Sequence, residues 1–166
     1  TSIKPAGYKM VDSPYQLRFD GTNDYAVARI ALAFGTGDFS MGGWFNADTI
    51  GAYEGLINNR DSSGDKLGCQ IRFDDDADAL EAFLDCGSTT FSIKTAFSDT
   101  GNWHHVIVTA DRDGNMILYL DGLSVGSADI SGQSSVSVTN ADPIVLAKNE
   151  ASAYFDGYLN EITKCL

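Results

Sequence analysis

The side chains best suited to chemistry in this chain are His104-His105, the acidic run Asp74-Asp75-Asp76-Ala77-Asp78, and three cysteines at 69, 86 and 165. The two histidines are the only ones present, so a zinc site or a Ser-His-Asp triad has to use one of them. Consecutive side chains of an extended strand point to opposite faces, so the two imidazoles do not converge on one ion. The one Gly-x-Ser-x-Gly sequence, Gly122-Leu123-Ser124-Val125-Gly126, runs into an expected strand, not the strand-to-helix turn that presents a nucleophile. The pattern predicts structural histidines. Asp74, Asp76 and Asp78 follow the Asp-x-Asp-x-Asp start of a helix-loop-helix calcium site, but that loop needs glycine sixth and a helix on each side. Here Ala79 stands sixth and the flanks read as strands, which predicts a solvated hairpin tip. An odd cysteine count excludes a complete intrachain disulfide framework. If Leu67 to Phe73 and Leu80 to Cys86 form a hairpin, Phe73 falls opposite Ala82, Ile71 opposite Leu84 and Cys69 opposite Cys86. Small buried thiols are the usual occupants of such positions and a directly cross-strand disulfide is strained, so free thiols are expected.

The elements that carry these residues are short strands. Gly101-Asn102-Trp103-His104-His105-Val106-Ile107-Val108-Thr109 and Met116-Ile117-Leu118-Tyr119-Leu120 are β-branched and aromatic runs around Asp111-Arg112-Asp113-Gly114-Asn115, whose residues favour tight reversal. Asp121-Gly122 then turns the chain again and extends the hairpin into a meander. Gln16 to Asp20 and Tyr25 to Ile30 read as an opening strand pair around Gly21-Thr22-Asn23-Asp24. Further strands are expected at Asp38–Asn46, Gly55–Asn59, Thr90–Lys94, Leu123–Gly126, Pro143–Ala147 and Phe155–Lys164. No helical-length window has apolar residues at helical spacing with capping signals. About a dozen short strands predict a two-sheet sandwich whose core takes Trp44 and Trp103.

Composition bounds the partners. At 166 residues and 43% hydrophobic content the chain is long enough to bury a sizeable core as one domain spanning 1–166. A net charge of -12 with only 11 basic residues argues against nucleic acid and acidic membranes. No apolar run is long enough to span a bilayer, and no basic-then-apolar segment opens the chain like a secretory signal. There is no Asn-x-Ser/Thr sequon. The aspartates gather in Gly- and Asn-rich connections, where they form turns or, as a cluster, hold a hard cation through oxygen.

Four motifs in order resemble concanavalin A-like, laminin-G-like jelly-roll domains. Phe19-Asp20-Gly21-Thr22-Asn23-Asp24-Tyr25-Ala26-Val27 is similar to the family's opening strands, and Phe39-Ser40-Met41-Gly42-Gly43-Trp44-Phe45 to the next one. Gly101-Asn102-Trp103-His104-His105-Val106 with Leu118-Tyr119-Leu120-Asp121-Gly122, and Tyr154-Phe155-Asp156-Gly157-Tyr158-Leu159-Asn160-Glu161-Ile162, complete the match over about residues 16–162. The resemblance implies an all-β, two-sheet antiparallel jelly-roll sandwich. It also implies a structural calcium where the first and last strands meet, with Asp20, Asp24, Asn160 and Glu161 as oxygen donors. Asn160 stands where relatives more often carry aspartate, which weakens the attraction for calcium. The alternative reading makes Asp20-Gly21 a turn and Glu161 an acceptor of backbone hydrogen bonds.

Glycosidases of this fold commonly place their carboxyl groups as Glu-x-Asp-x-x-Glu on one strand, and no such sequence occurs here. The expectation is therefore a non-catalytic carbohydrate-binding or adhesion module, outside the cell or on a cell or virion surface, whose partner is a glycan or glycosylated surface. Loop residues at a sheet's mouth place polar and stacking groups together, which singles out Tyr53, Asn58, Asn59, Arg60 and Tyr154 as ligand contacts. The alternative is a structural decoration or fibre domain of a virus particle or surface assembly, bound to other subunits.

Overall fold

The computed structural model describes residues 15–28, 33–61, 66–74 and 78–166. Two six-stranded antiparallel sheets face each other. One contains β1 (Leu17–Asp20), β12 (Asp156–Cys165), β3 (Phe39–Ala47), β8 (His104–Ala110), β9 (Asn115–Leu120) and β10 (Leu123–Asp129), in that spatial order. The second runs β2 (Ala26–Val27), β11 (Val145–Leu146), β4 (Gly55–Asn58), β5 (Gly68–Phe73), β6 (Ala79–Asp85) and β7 (Thr90–Ala96). Among the described residues the only helical element is a 3-10 turn, Ser131–Gln133.

Alternation explains the layering. Along β3, Phe39, Met41, Phe45 and Ala47 are buried while Ser40, Trp44 and Asn46 are half-buried on the outer face. Between the sheets Phe45, Phe73, Phe97 and Phe155 form an aromatic centre, with Phe45 and Phe97 5.3 Å apart and Phe73 and Phe155 6.3 Å apart between ring centroids. Trp44 and Trp103 do not join it. Trp44 packs on His105 of the neighbouring strand at 4.9 Å, and Trp103 on Tyr158 at 6.3 Å, both on the outside of the first sheet. Each stands on the odd side of the pleat relative to Phe45, which the apolar neighbours of a tryptophan do not reveal.

Two pairings differ from expectation. β1 and β2 are not partners: β1 pairs with β12 and β2 with β11, so the turn between them carries the chain from one sheet to the other. The Asp20 carboxylate accepts hydrogen bonds from the Thr22 and Asn23 amides at 2.9 and 3.3 Å, and Gly21 has φ +71°, an Asx-type turn that redirects the chain instead of closing a hairpin. Residues 29 and 30 of the expected strand lie outside the described residues. In the cysteine hairpin the register is shifted by two: Cys69 faces Leu84, Ile71 faces Ala82 and Phe73 faces Leu80. Asp74 causes this, because its backbone amide bonds Ala79 O at 2.9 Å while its carboxylate accepts from the Asp78 and Ala79 amides, closing a shorter tip. A shift of two keeps every side chain on its expected face. All three cysteines are free thiols, and burial pushes the Cys69 thiol up to about 12.

His104 and His105 do point to opposite faces. His104 packs edge-on against Phe97 at 4.9 Å, and its Nδ1 lies 2.9 Å from Asp121 Oδ2. Asp121 (φ +51°) and Gly122 (φ +79°) form the tight two-residue turn between β9 and β10.

Candidate functional site

At the β2–β11–β4 end of the second sheet, side chains from four separate segments surround an open cavity of about 250 Å³. Strand pairing brings them together. Val145 lies between Val27 and Asn58, so Tyr25, just before β2, comes beside the loop that follows β11. That loop closes on itself: Asn149 N donates to Ala153 O at 3.1 Å, and Asn149 Oδ1 accepts from the Ala153 amide at 2.8 Å. A bridge between Lys148 and Tyr154 fixes its base. The Lys148 ammonium consequently stands 4.6 Å from the Tyr25 ring centroid and 5.5 Å from that of Tyr154, with the rings 6.3 Å apart. Tyr25 is 49% exposed and presents ring surface to solvent.

The opposite wall is polar. Asn58 Oδ1 accepts from the Arg60 amide at 2.8 Å, turning the chain as it leaves β4. The Arg60 guanidinium bridges Asp85 on β6 and Glu150 on the closed loop, with Asp85 also accepting from the Thr90 hydroxyl. Burial disfavours the Arg60 charge, but the hydrogen bond and charge of Asp85, reinforced by Glu150, leave its pKa raised. Asp85 is 1% exposed, so this pair ties the wall of the cavity to the buried end of β6, two strands beyond β4. Two polar atoms at this wall have no hydrogen-bond partner among the described residues: Asn149 Nδ2, on a side chain buried to 2% exposure, and Glu150 Oε2.

Of the expected ligand contacts, the structure brings Asn58 and Arg60 to the cavity wall, and Tyr154 beside two residues that line it, Tyr25 and Lys148. Asn59 is 1% exposed and supports the wall from behind. Its Nδ2 donates to Asp142 O at 2.9 Å, and its carbonyl accepts from Asn140 Nδ2 at 2.7 Å. Gly68 makes this close approach possible: at φ +127°, a Cβ there would sit 2.0 Å from the Asn59 carbonyl oxygen. Tyr53 is not at the cavity. It precedes β4 at the opposite end, where Arg72 stacks on its ring at 4.9 Å and its amide bonds Asp74 O. Tyr25, Lys148, Asn149 and Glu150 escaped the sequence reading, since no spacing links the loop after β11 to residues far upstream.

The four expected calcium donors do not share a site. β1 pairs with β12 so that Asp20 faces Asp156. Asn160 lies four residues further along β12, roughly 13 Å at about 3.3 Å per residue. The Asp20 carboxylate is engaged in its own turn, and Asn160 Oδ1 accepts from the adjacent Glu161 amide at 2.8 Å. Glu161 is exposed at φ +49°, where β12 is bulged between Asn160 and Thr163. Asp24 is exposed in the loop beyond Asp20. Among the described residues no group of three or more His, Cys, Asp or Glu side chains is arranged to hold a metal. These residues do not fit calcium.

A second acidic group surrounds the start of β12. Arg18 bridges Asp48 at 2.9 Å and Asp156 at 3.0 Å, while Thr49 Oγ1 donates to Asp156 Oδ2 at 3.2 Å. Nearby, burial pushes the Glu54 carboxyl up to about 7 against a hydrogen bond from Gly51, and the charge of Asp156 adds to the rise. Glu54 Oε2 has no hydrogen-bond partner among the described residues.

Two facing six-stranded antiparallel sheets, with an open cleft at the end of one, make a β-sandwich. The chain belongs to the concanavalin A-like lectin/glucanases superfamily, since the Laminin_G_3 family model matches residues 20–163. Mouse laminin alpha1 chain, domains LG4-5, shares the fold with TM-score 0.67 and 17% identity, covering 89% of this chain and 40% of that one. The binding domain of botulinum neurotoxin serotype G gives TM-score 0.68 and 15% identity, with coverage of 90% and 39%. The SAP-like pentraxin of Limulus polyphemus gives 0.65 and 15%, with coverage of 90% and 74%. This chain thus spans about two fifths of the first two structures, and identities this low show the fold alone. No curated protein sequence matches the chain significantly. Among the described residues no helix is long and apolar enough to cross a membrane.

Proposed function

We propose that this domain is a non-catalytic carbohydrate-binding or adhesion module that takes a glycan of an extracellular or surface partner into the cleft between Tyr25 and Glu150. One observation carries the reading: a half-exposed tyrosine ring with a second ring beside it, a lysine, buried asparagine amides and an anchored arginine meet at one open cavity. Sugars need this combination, because a pyranose offers apolar C–H faces for a ring and hydroxyls for planar polar groups. The superfamily is named for lectins as well as glucanases. The fold is also shared by the ligand binding domain of botulinum neurotoxin serotype D, solved in complex with N-acetylneuraminic acid, at TM-score 0.64, 16% identity and coverage of 87% and 38%. Binding is favoured over catalysis because glycoside hydrolysis requires one carboxyl group free to donate a proton and another free to act as nucleophile or base. Of the two carboxylates lining the cavity, Glu150 holds Arg60 together with Asp85, so no second free carboxyl accompanies Asp142.

A broad glycan array, run with and without chelator, tests the reading. Reproducible selectivity for particular glycans is expected, lost in Tyr25→Ala and retained in Tyr53→Ala. Absence of selective binding across the array, with folded protein, refutes it.

A further inference from the structure

We propose that the cleft selects an uncharged sugar and grips two adjacent hydroxyls of it, with Glu150 Oε2 accepting from one, Asn149 Nδ2 donating to the other, and Tyr25 under the ring. This rests on the reading of the domain as a carbohydrate-binding module and adds the class of sugar and the atoms that recognise it.

Two features of the wall point to hydroxyls. Asn149 and Glu150 are consecutive, and each keeps one polar atom unused, a donor on the first and an acceptor on the second. Their other atoms are committed: Asn149 Oδ1 to the Ala153 amide and Glu150 Oε1 to Arg60. The side chains are thereby held in place before any ligand arrives, so little ordering cost remains for binding. Unpaired buried polar atoms are costly, and a group that both donates and accepts relieves both together. A pair of neighbouring hydroxyls is such a group, whereas a carboxylate or sulfate only accepts and leaves Glu150 Oε2 facing a like charge.

Charge points the same way. Arg60 is the cation most deeply seated at the cleft, but two carboxylates already occupy it. Lys148 directs its ammonium over the two tyrosine rings. Asp142 adds a further acidic side chain to the wall, and the whole chain carries -12. An acidic glycan therefore meets net repulsion and no uncommitted guanidinium.

The test uses immobilised neutral oligosaccharides (mannose-, galactose-, glucose- and N-acetylglucosamine-terminated), their sialylated and sulfated counterparts, and single-hydroxyl deoxy analogues of the best neutral binder. The whole chain is compared with Glu150→Gln and Tyr25→Ala. Expected are binding to at least one neutral terminus, weaker binding to its sialylated or sulfated form, a tenfold or greater loss on removing either of two adjacent hydroxyls, and a tenfold or greater loss in Glu150→Gln. Tyr25 is half exposed, so Tyr25→Ala supplies a folded variant with the same expected loss should Glu150→Gln not fold. Binding confined to acidic glycans overturns the inference while the carbohydrate reading stands. Neutral binding unchanged in both variants, or insensitive to the deoxy analogues, overturns the site. Binding to no glycan overturns both readings.

Discussion

Replacing Glu54 with glutamine should make the domain more stable at pH 8 and erase a pH dependence that the natural chain shows. The carboxyl has its folded-state pKa raised by burial from 4.5 to about 7. In the unfolded chain it loses its proton near 4.5, whereas the folded chain keeps it until about 7. The native state therefore binds more protons between those values, and stability falls as pH rises from about 4.5 to about 7, then levels off. At roughly 1.36 kcal/mol for each tenfold change in proton affinity, the full displacement corresponds to about 3 kcal/mol. Glu54 is only partly withdrawn from solvent, and screening reduces the effect to about 1 to 2 kcal/mol. Urea unfolding of both proteins from pH 4 to 8 measures it. The natural chain should show a midpoint that declines across that window, and Glu54→Gln a flatter one, with the two converging near pH 4.5. The difference between the curves isolates this carboxyl from every other titrating group. Parallel curves, or a variant weaker at pH 8, would refute the argument.

Phe73→Ala, at the aromatic centre, should cost about 3 to 5 kcal/mol in chemical denaturation, since its ring is fully buried against Phe45, Phe97 and Phe155; a loss under about 1 kcal/mol would contradict that packing. Arg60→Met strands Asp85 in the sheet without its guanidinium, so about 3 kcal/mol of stability should disappear, and most of it should return in the double variant Arg60→Met, Asp85→Leu. Thermal melting with excess chelator should move the midpoint by no more than about 1 °C, because Asp20 and Asn160 lie at separate points of the β1–β12 pair. A drop of several degrees, reversed by calcium, would contradict this.

Which segments extend was readable from the sequence, and which segments pair was readable only where a turn enforces it. Asp111–Asn115 and Asp121-Gly122 join neighbours in one sheet, as their composition indicates. Asp20-Gly21 carries turn residues too, yet the chain leaves its sheet there, because an Asx turn sets a local bend and says nothing of the strand's next partner. The same gap explains the cleft. Asn58 and Arg60 were legible as polar residues at the end of a strand, but Tyr25 and Asn149 reach them only through the two-residue β11, which sits between β2 and β4. Tyr53 stands apart from that cavity because it borders the same strand as Asn58 at its other end. The calcium donors failed on register, since antiparallel pairing of β1 with β12 runs Asn160 away from Asp20.

Both indoles of the chain lie on the far layer from the cleft beside Tyr25, Trp44 against His105 and Trp103 against Tyr158. Their emission is therefore an optical gauge of one sheet that a ligand on the other does not touch. A titration that leaves this signal flat while binding proceeds separates occupancy from unfolding in a single cuvette, and an acceptor dye on a cysteine introduced beside Tyr25 would turn the same pair into a ruler across the sandwich.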